Sequence, residues 1–196
     1  MTGRQLAAME TKKKLLAAAK RLIGERGLAD VAVEEITGAC GVAKGTFYTY
    51  FKKKEDIVFE LSEEMFGEIL ENAKNAAGGA AEKLKNYMSH FSECIEKSGV
   101  KLAQEWVRGV VEPPKDGSEK TKLASDLADM RTLLLFLEET QKLREGAAAA
   151  LAGTLVDLAY GQMLCWCMTD GQYSLKGRTE AFCEEYLPAL LQKYII

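Results

Sequence analysis

The stretch KGTFYTYFKKKE, Lys44 to Glu55, gathers four aromatic rings and four lysines into twelve residues. On a helix with 100° per residue, Phe47 and Phe51 fall within about 40° of each other and form one apolar face. Thr46, Tyr48, Thr49, Lys52 and Lys53 spread around the opposite side, with Tyr50 on the border. Hydroxyls and ammonium groups bind phosphate oxygens, and rings and methyl groups touch thymine methyls, so this face suits duplex DNA. The same composition also fits a basic, solvated helix whose tyrosines pack on neighbouring elements.

Other chemistry-bearing residues are sparse. His90, the one histidine, stands four positions before Cys94, the spacing of a dyad or a metal pair on one helix face. No carboxylate is evidently placed to complete either arrangement, so packing or ligand hydrogen bonding is expected, with no catalytic residue, metal or cofactor. The five cysteines (Cys40, Cys94, Cys165, Cys167 and Cys183) are odd in number and lack CxxC spacing, which fits free thiols in a reduced compartment. Within a helix, Cys165 and Cys167 point away from each other, so they form no clamp.

The elements that position these residues read as helices throughout. The chain has 196 residues, three of them proline, and its apolar residues recur at helical rather than alternating spacing. Leu15, Leu16, Ala19, Leu22 and Ile23 make a stripe that stops at Gly27. A short segment follows from about Val33 to Cys40. Gly41 breaks it, as a tight turn between two helices requires, with Val42 placed to plug their angle, and a third helix begins near Ala43. Later helices are expected over about 55–76, 80–97, 100–111, 119–144, 147–169 and 179–194, with a kink at Pro188. The expectation is an all-α chain of about nine helices, with a helix-turn-helix domain over 1–54 and a larger helical domain over 55–196.

Charge divides the same way. Residues 1–56 hold 11 Lys and Arg against 7 Asp and Glu, a net +4 on an otherwise acidic chain whose total is −3. One basic end on an acidic body points to a polyanion met by that end. A mean hydropathy of −0.14 fits a globular chain. The sequence reads as free of a run long enough to span a bilayer, and its early lysines interrupt any signal-like stretch, so a cytoplasmic location is expected.

Leu15 to Ile57 resembles the N-terminal domain of TetR-type transcriptional regulators. The matching residues are Leu16, Ala18, Ala19, Leu22, Gly27, Val33, Ile36, Ala39 and the run Gly41-Val42-x-Lys44-Gly45-Thr46-Phe47-Tyr48-x-Tyr50-Phe51-x-x-Lys54-Glu55. The resemblance implies DNA contacts from Lys44, Gly45 (through its backbone), Thr46, Tyr48, Thr49, Tyr50 and Lys54. Three departures bear on affinity. Val31-Ala32 stands where such proteins usually have Thr or Ser, leaving Asp30 as the candidate cap of the second helix. Ala43 replaces a frequent Ser at the cap of the third. Glu34 lies where some members have a basic residue, and an acid there repels phosphate or accepts from cytosine N4. A weaker echo is Gly161-x-x-x-x-Trp166 followed by Gly171 and Leu175.

In that family the remaining helices enclose a ligand pocket, and the last two form a dimer. Here the pocket candidates are Tyr87, Met88, Phe91, Cys94, Trp106, Phe136, Met163, Trp166 and Cys167, a lining suited to a small hydrophobic or aromatic effector. For the dimer, Leu151, Leu155 and Leu158 would pair with Leu187, Leu190, Leu191 and Tyr194 in a four-helix interface. The resulting expectation is a homodimeric, ligand-responsive repressor on a near-palindromic double-stranded DNA operator. The alternative is a helical small-molecule-binding dimer without sequence-specific DNA binding, motivated by Val31, Glu34 and Ala43.

Overall fold

The computed structural model describes residues 2–112 and 121–196. The first helix, α1 (Gly3–Arg26), is opened by a reciprocal cap in which Thr2 and Gln5 satisfy each other's backbone N–H. Leu15, Leu16, Ala19, Leu22 and Ile23 turn its second half inward. With α2 (Val33–Ala39) and α3 (Lys44–Tyr50) it encloses Ile36, Phe47 and Phe51, each almost fully buried.

The segment expected to form one helix over 55–76 is two, α4 (Asp56–Phe66) and α5 (Ile69–Asn75). They part at Gly67, where a Cβ would come within 2.9 Å of the Glu63 carbonyl oxygen. The end of α5 is held by Lys83, a buried lysine whose Nζ donates to the carbonyls of Lys74, at 2.7 Å, and Ala76. Lys83 belongs to α6 (Ala80–Ser98), which turns into α7 (Val100–Val111) at Gly99, φ 81°.

α8 (Lys122–Glu139) begins on a Thr121 cap, Oγ1 accepting from the Ala124 N–H at 3.2 Å. The expected start at Glu119 lies outside the described residues. The helix stops short of Arg144 because Gln141 turns left-handed and the N–H groups of Lys142 and Leu143 both close on the Leu137 carbonyl. α9 (Ala147–Met168) lies along α8, and α10 (Leu175–Glu185) lies along α6. The expected last helix ends early at Tyr186 and resumes as α11 (Leu187–Leu191), with Pro188 in its first turn, where its missing N–H costs nothing. The described residues therefore form eleven helices rather than about nine.

One helix corrects the membrane expectation. α9 is long and apolar enough to cross a bilayer, with a mean hydropathy of 1.3 over its best window. Only 33% of that window is buried in the subunit. It carries Asp157 mid-length and packs on α8, α7, α10 and α6, as a bundle helix does.

Candidate DNA-reading face and effector cleft

The turn between α2 and α3 is built around Thr37. Its hydroxyl donates to the Val33 and Glu34 carbonyls, and its own carbonyl accepts from the Val42 N–H at 3.0 Å. Gly41 supplies the left-handed step at φ 67°, and Val42 packs half-buried against the core. α3 then starts at Ala43 without a side-chain cap. Asp30 does not cap α2. Glu35 does so by reaching back to the Ala32 N–H at 2.8 Å while bonding Arg26, and these two contacts hold its carboxyl below the usual glutamate range.

With Phe47 and Phe51 facing inward, Lys44, Gly45, Tyr48 and Thr49 form a continuous exposed stripe along α3. Tyr48 is 50% exposed, edge-on to Phe47 at 5.4 Å between centroids. Thr46 is half-buried at the margin. Two expected DNA contacts lie elsewhere. Tyr50 is half-buried against Phe51, on the side facing the C-terminal domain. Lys54 is turned inward, its ammonium donating to the carbonyls of Leu28 at 2.6 Å and Val31 at 2.9 Å at the bend after α1. Glu34 does not stand as a lone acid. It pairs with Lys44 at 2.6 Å, which holds the glutamate down and the lysine up in pKa.

A cleft of about 660 Å³ lies between this domain and the helical bundle. Tyr50, Phe51, Lys52 and Lys53 line it from the first domain, and Glu105, Trp106, Arg108 and Lys122 from α7 and α8. α7 makes one hydrogen bond to α4 and one to the bend after α1. Trp106 Nε1 donates to the Val58 carbonyl of α4 at 3.2 Å, and Glu105 accepts from the Leu28 N–H at 3.4 Å while pairing with Arg108. From Trp106 a row of rings runs inward: Phe66 at 5.4 Å, Phe91 a further 5.0 Å, then Tyr160 at 6.3 Å. It ends at a cavity of about 10 Å³ lined by Tyr87, Met88, Phe91, Asp126 and Tyr160 among others. Between the two voids lies a buried ion pair, Lys122 with Asp126, which periodicity did not single out.

The expected pocket residues fall in different places. Trp106 lines the cleft, and Tyr87, Met88 and Phe91 line the inner cavity. Cys94, Phe136, Met163, Trp166 and Cys167 line neither. Cys94 donates to the Met65 carbonyl, Phe136 lies half-buried near Lys83, and Met163 and Cys167 are core. Trp166 donates to the Tyr173 carbonyl at 2.8 Å, and its ring lies where a Cβ on Gly171 would come within 3.2 Å. The Trp166–Gly171–Leu175 pattern is therefore the turn that closes α9 onto α10. His90 bonds Asn86 rather than Cys94, and burial raises the Cys94 thiol, with Glu93 a lesser cause.

Four expected dimer residues, Leu151, Leu155, Leu187 and Leu191, are buried inside the subunit, because each faces its own bundle at the helical repeat. Leu158, Leu190 and Tyr194 are half-exposed. The outer face of α9 is formed by Gly153, Asp157, Gly161, Leu164, Cys165 and Met168, with Leu164 43% and Met168 77% exposed. Beside it on the C-terminal helices, Phe182 stacks on the exposed Tyr186 at 5.8 Å.

Residues 15–61 match the family model of bacterial regulatory proteins of the tetR family. The HTH-type transcriptional regulator AcrR of Shigella flexneri is 34% identical over 90 residues, 44% of this chain and 42% of that protein. The fatty acid metabolism regulator protein of Bacillus subtilis is 39% identical over 83 residues, 40% of this chain and 43% of that protein. The chain thus matches less than half the length of these two relatives. Over whole folds, the transcriptional regulator FadR from Bacillus subtilis, in complex with stearoyl-CoA, aligns with a TM-score of 0.72 at 24% identity, covering 91% of this chain and 97% of that one.

Proposed function

We propose that the chain, whose residues 15–61 match the tetR family model, acts as a homodimeric repressor released from a near-palindromic operator by a small hydrophobic or aromatic effector. The observation that supports this best is the position of the cleft. It is bounded by Lys52 and Lys53, which directly follow the reading helix, and by Trp106 and Lys122 of the bundle. A molecule that fills it touches both domains and biases the angle between them. A preference of about 1–3 kcal/mol for the non-binding arrangement lowers operator affinity about 5- to 150-fold.

The stripe Lys44, Gly45, Tyr48 and Thr49 would enter the major groove, with Thr46 at its edge. The exposed face of α9, which carries Leu164 and Met168, would be covered by a second copy about a two-fold axis. A volume near 660 Å³ holds a compact, drug-sized molecule. Stearoyl-CoA, the ligand of the FadR structure, has a long acyl chain, which here would require the inner cavity of about 10 Å³ to open.

The second reading, a ligand-binding dimer without sequence-specific DNA binding, draws on the Glu34–Lys44 pair, which neutralises a cation of the reading face. Selection from a random duplex pool followed by salt titration separates the two. The repressor enriches one two-fold-symmetric sequence and shows a log–log salt slope of several units. Weak binding indifferent to sequence would sink the repressor reading and leave the second.

A further inference from the structure

The effector cleft ends on a cation that belongs to the protein itself. Lys122 Nζ is buried 3.7 Å from the centroid of Phe66 and 5.1 Å from that of Phe91. It donates to both oxygens of Asp126, at 2.7 and 2.8 Å, and the Tyr160 hydroxyl donates to Asp126 Oδ2 at 2.7 Å. Two ring faces, a carboxylate and a phenol are the groups with which proteins hold organic cations out of water.

The charge around this box has an acidic excess. Burial lowers the Lys122 ammonium from its usual range, and Asp126, Glu63 and Asp129 oppose that shift. Burial raises the Asp129 carboxyl, and Asp126 and Glu63 raise it further, while Lys122 and Lys74 oppose the shift. Among charged groups that could occupy the box, these carboxylates favour a cation over an anion. An anionic head group anchored on Lys122 would have to break a two-oxygen ion pair and then face the carboxylate it had displaced.

We infer that the box formed by Phe66, Phe91, Asp126 and Tyr160 is a receptor for a hydrophobic organic cation, a quaternary onium ion or a protonated aromatic amine, and that Lys122 occupies it in the free protein. The inference rests on the effector role proposed for the cleft. The charged end of the ligand replaces Nζ over the two rings and against Asp126, and its aromatic body lies in the cleft beside Trp106. Lys122, which lines that cleft as the first residue of α8, turns its ammonium outward on a four-carbon stem and regains water. Self-occupancy lowers apparent affinity by the fraction of molecules in which the box is filled.

The test is isothermal titration of the full chain, in sodium buffer, with tetraphenylphosphonium and with tetraphenylborate, ions of like shape and opposite charge. The expected result is that the phosphonium binds, with the borate at least about tenfold weaker. Lys122→Ala, which removes the occupant, tightens phosphonium binding by about tenfold. Phe66→Leu, which keeps the ion pair and removes a ring face, weakens it by about fivefold. Equal binding of the two ions, binding of neither, or tighter binding of the borate overturns the inference. So does a folded Lys122→Ala chain that binds the phosphonium no better. If that variant does not fold, the charge preference and Phe66→Leu decide. None of these measurements involves DNA. A chain that prefers the phosphonium but selects no operator refutes the repressor and keeps the receptor, and operator binding without charge preference does the reverse.

Discussion

The ammonium of Lys54 is bound to the main-chain carbonyl of Leu28 at 2.6 Å, while the N–H of the same leucine donates to Glu105 at 3.4 Å. Leu28 is therefore held from below by its own domain and from above by α7 of the bundle. The bend between α1 and α2 is thus a direct contact between α7 and the helix-turn-helix region.

Lys54→Met leaves the Leu28 and Val31 carbonyls without their charged donor and is expected to cost about 2 kcal/mol of stability. Thermal unfolding measures the loss, and amide exchange should rise around residues 28–33. An unchanged melting temperature with a salt slope for DNA lower by about one would instead make Lys54 a phosphate ligand.

Tyr48→Ala removes a half-exposed ring from the centre of the reading stripe. Operator affinity should fall by about 1–3 kcal/mol with the melting temperature and subunit count nearly unchanged. Fluorescence anisotropy on the selected duplex, with sedimentation of the same sample, checks both halves.

Glu34→Gln frees Lys44 from its exposed ion pair. DNA binding should tighten, and the log–log salt slope should steepen by about one. Because the Lys44 hydrogen bond holds the Glu34 carboxyl below its usual range, the pair persists in mild acid. Titrating the wild type down to about pH 5 should therefore not reproduce the effect of the variant.

Leu164→Glu places a charge on the outer face of α9, where the leucine is 43% exposed in the single chain. Analytical ultracentrifugation should show monomers with native helical content. Leu155→Ala, fully buried in the subunit, should instead lower stability by about 2–5 kcal/mol and leave the oligomeric state unchanged.

Asp129→Asn should stabilise the chain at neutral pH. Burial, then Asp126 and Glu63, raises the folded-state pKa of Asp129 above its unfolded value. Between those two values the folded chain binds more protons, so stability falls as pH rises through that window. The gain in melting temperature at pH 7 should vanish below about pH 4, where the carboxyl is protonated in both states.

The helix-turn-helix was legible because its signals are local. Gly41 is needed at a positive φ within one turn of chain, and Phe47 and Phe51 share a face through the helical repeat alone. Helix positions followed from the same periodicity, and the breaks it missed, at Gly67 and Gln141, depend on a near contact and a backbone turn that carry no apolar signature. Which side of α9 is inner was not legible, since small and apolar residues recur around most of that helix and only its neighbours select the buried set.

The destinations of the long cations were decided by tertiary structure. Lys54 was expected to contact DNA and nothing in the sequence singled out Lys83 or Lys122, yet each has its ammonium tied to acceptors at a helix end, a bend or a buried carboxylate. By itself the sequence determined an all-helical chain, a helix-turn-helix region similar to that of TetR-type proteins and the anchors of its third helix, all of them properties of residues a few positions apart. Only the folded chain decided the cleft beside Trp106, the row from Trp106 to Tyr160 and the box around Lys122. Phe66, Phe91, Lys122 and Tyr160 come from four different helices, and only helix packing sets the distances between them.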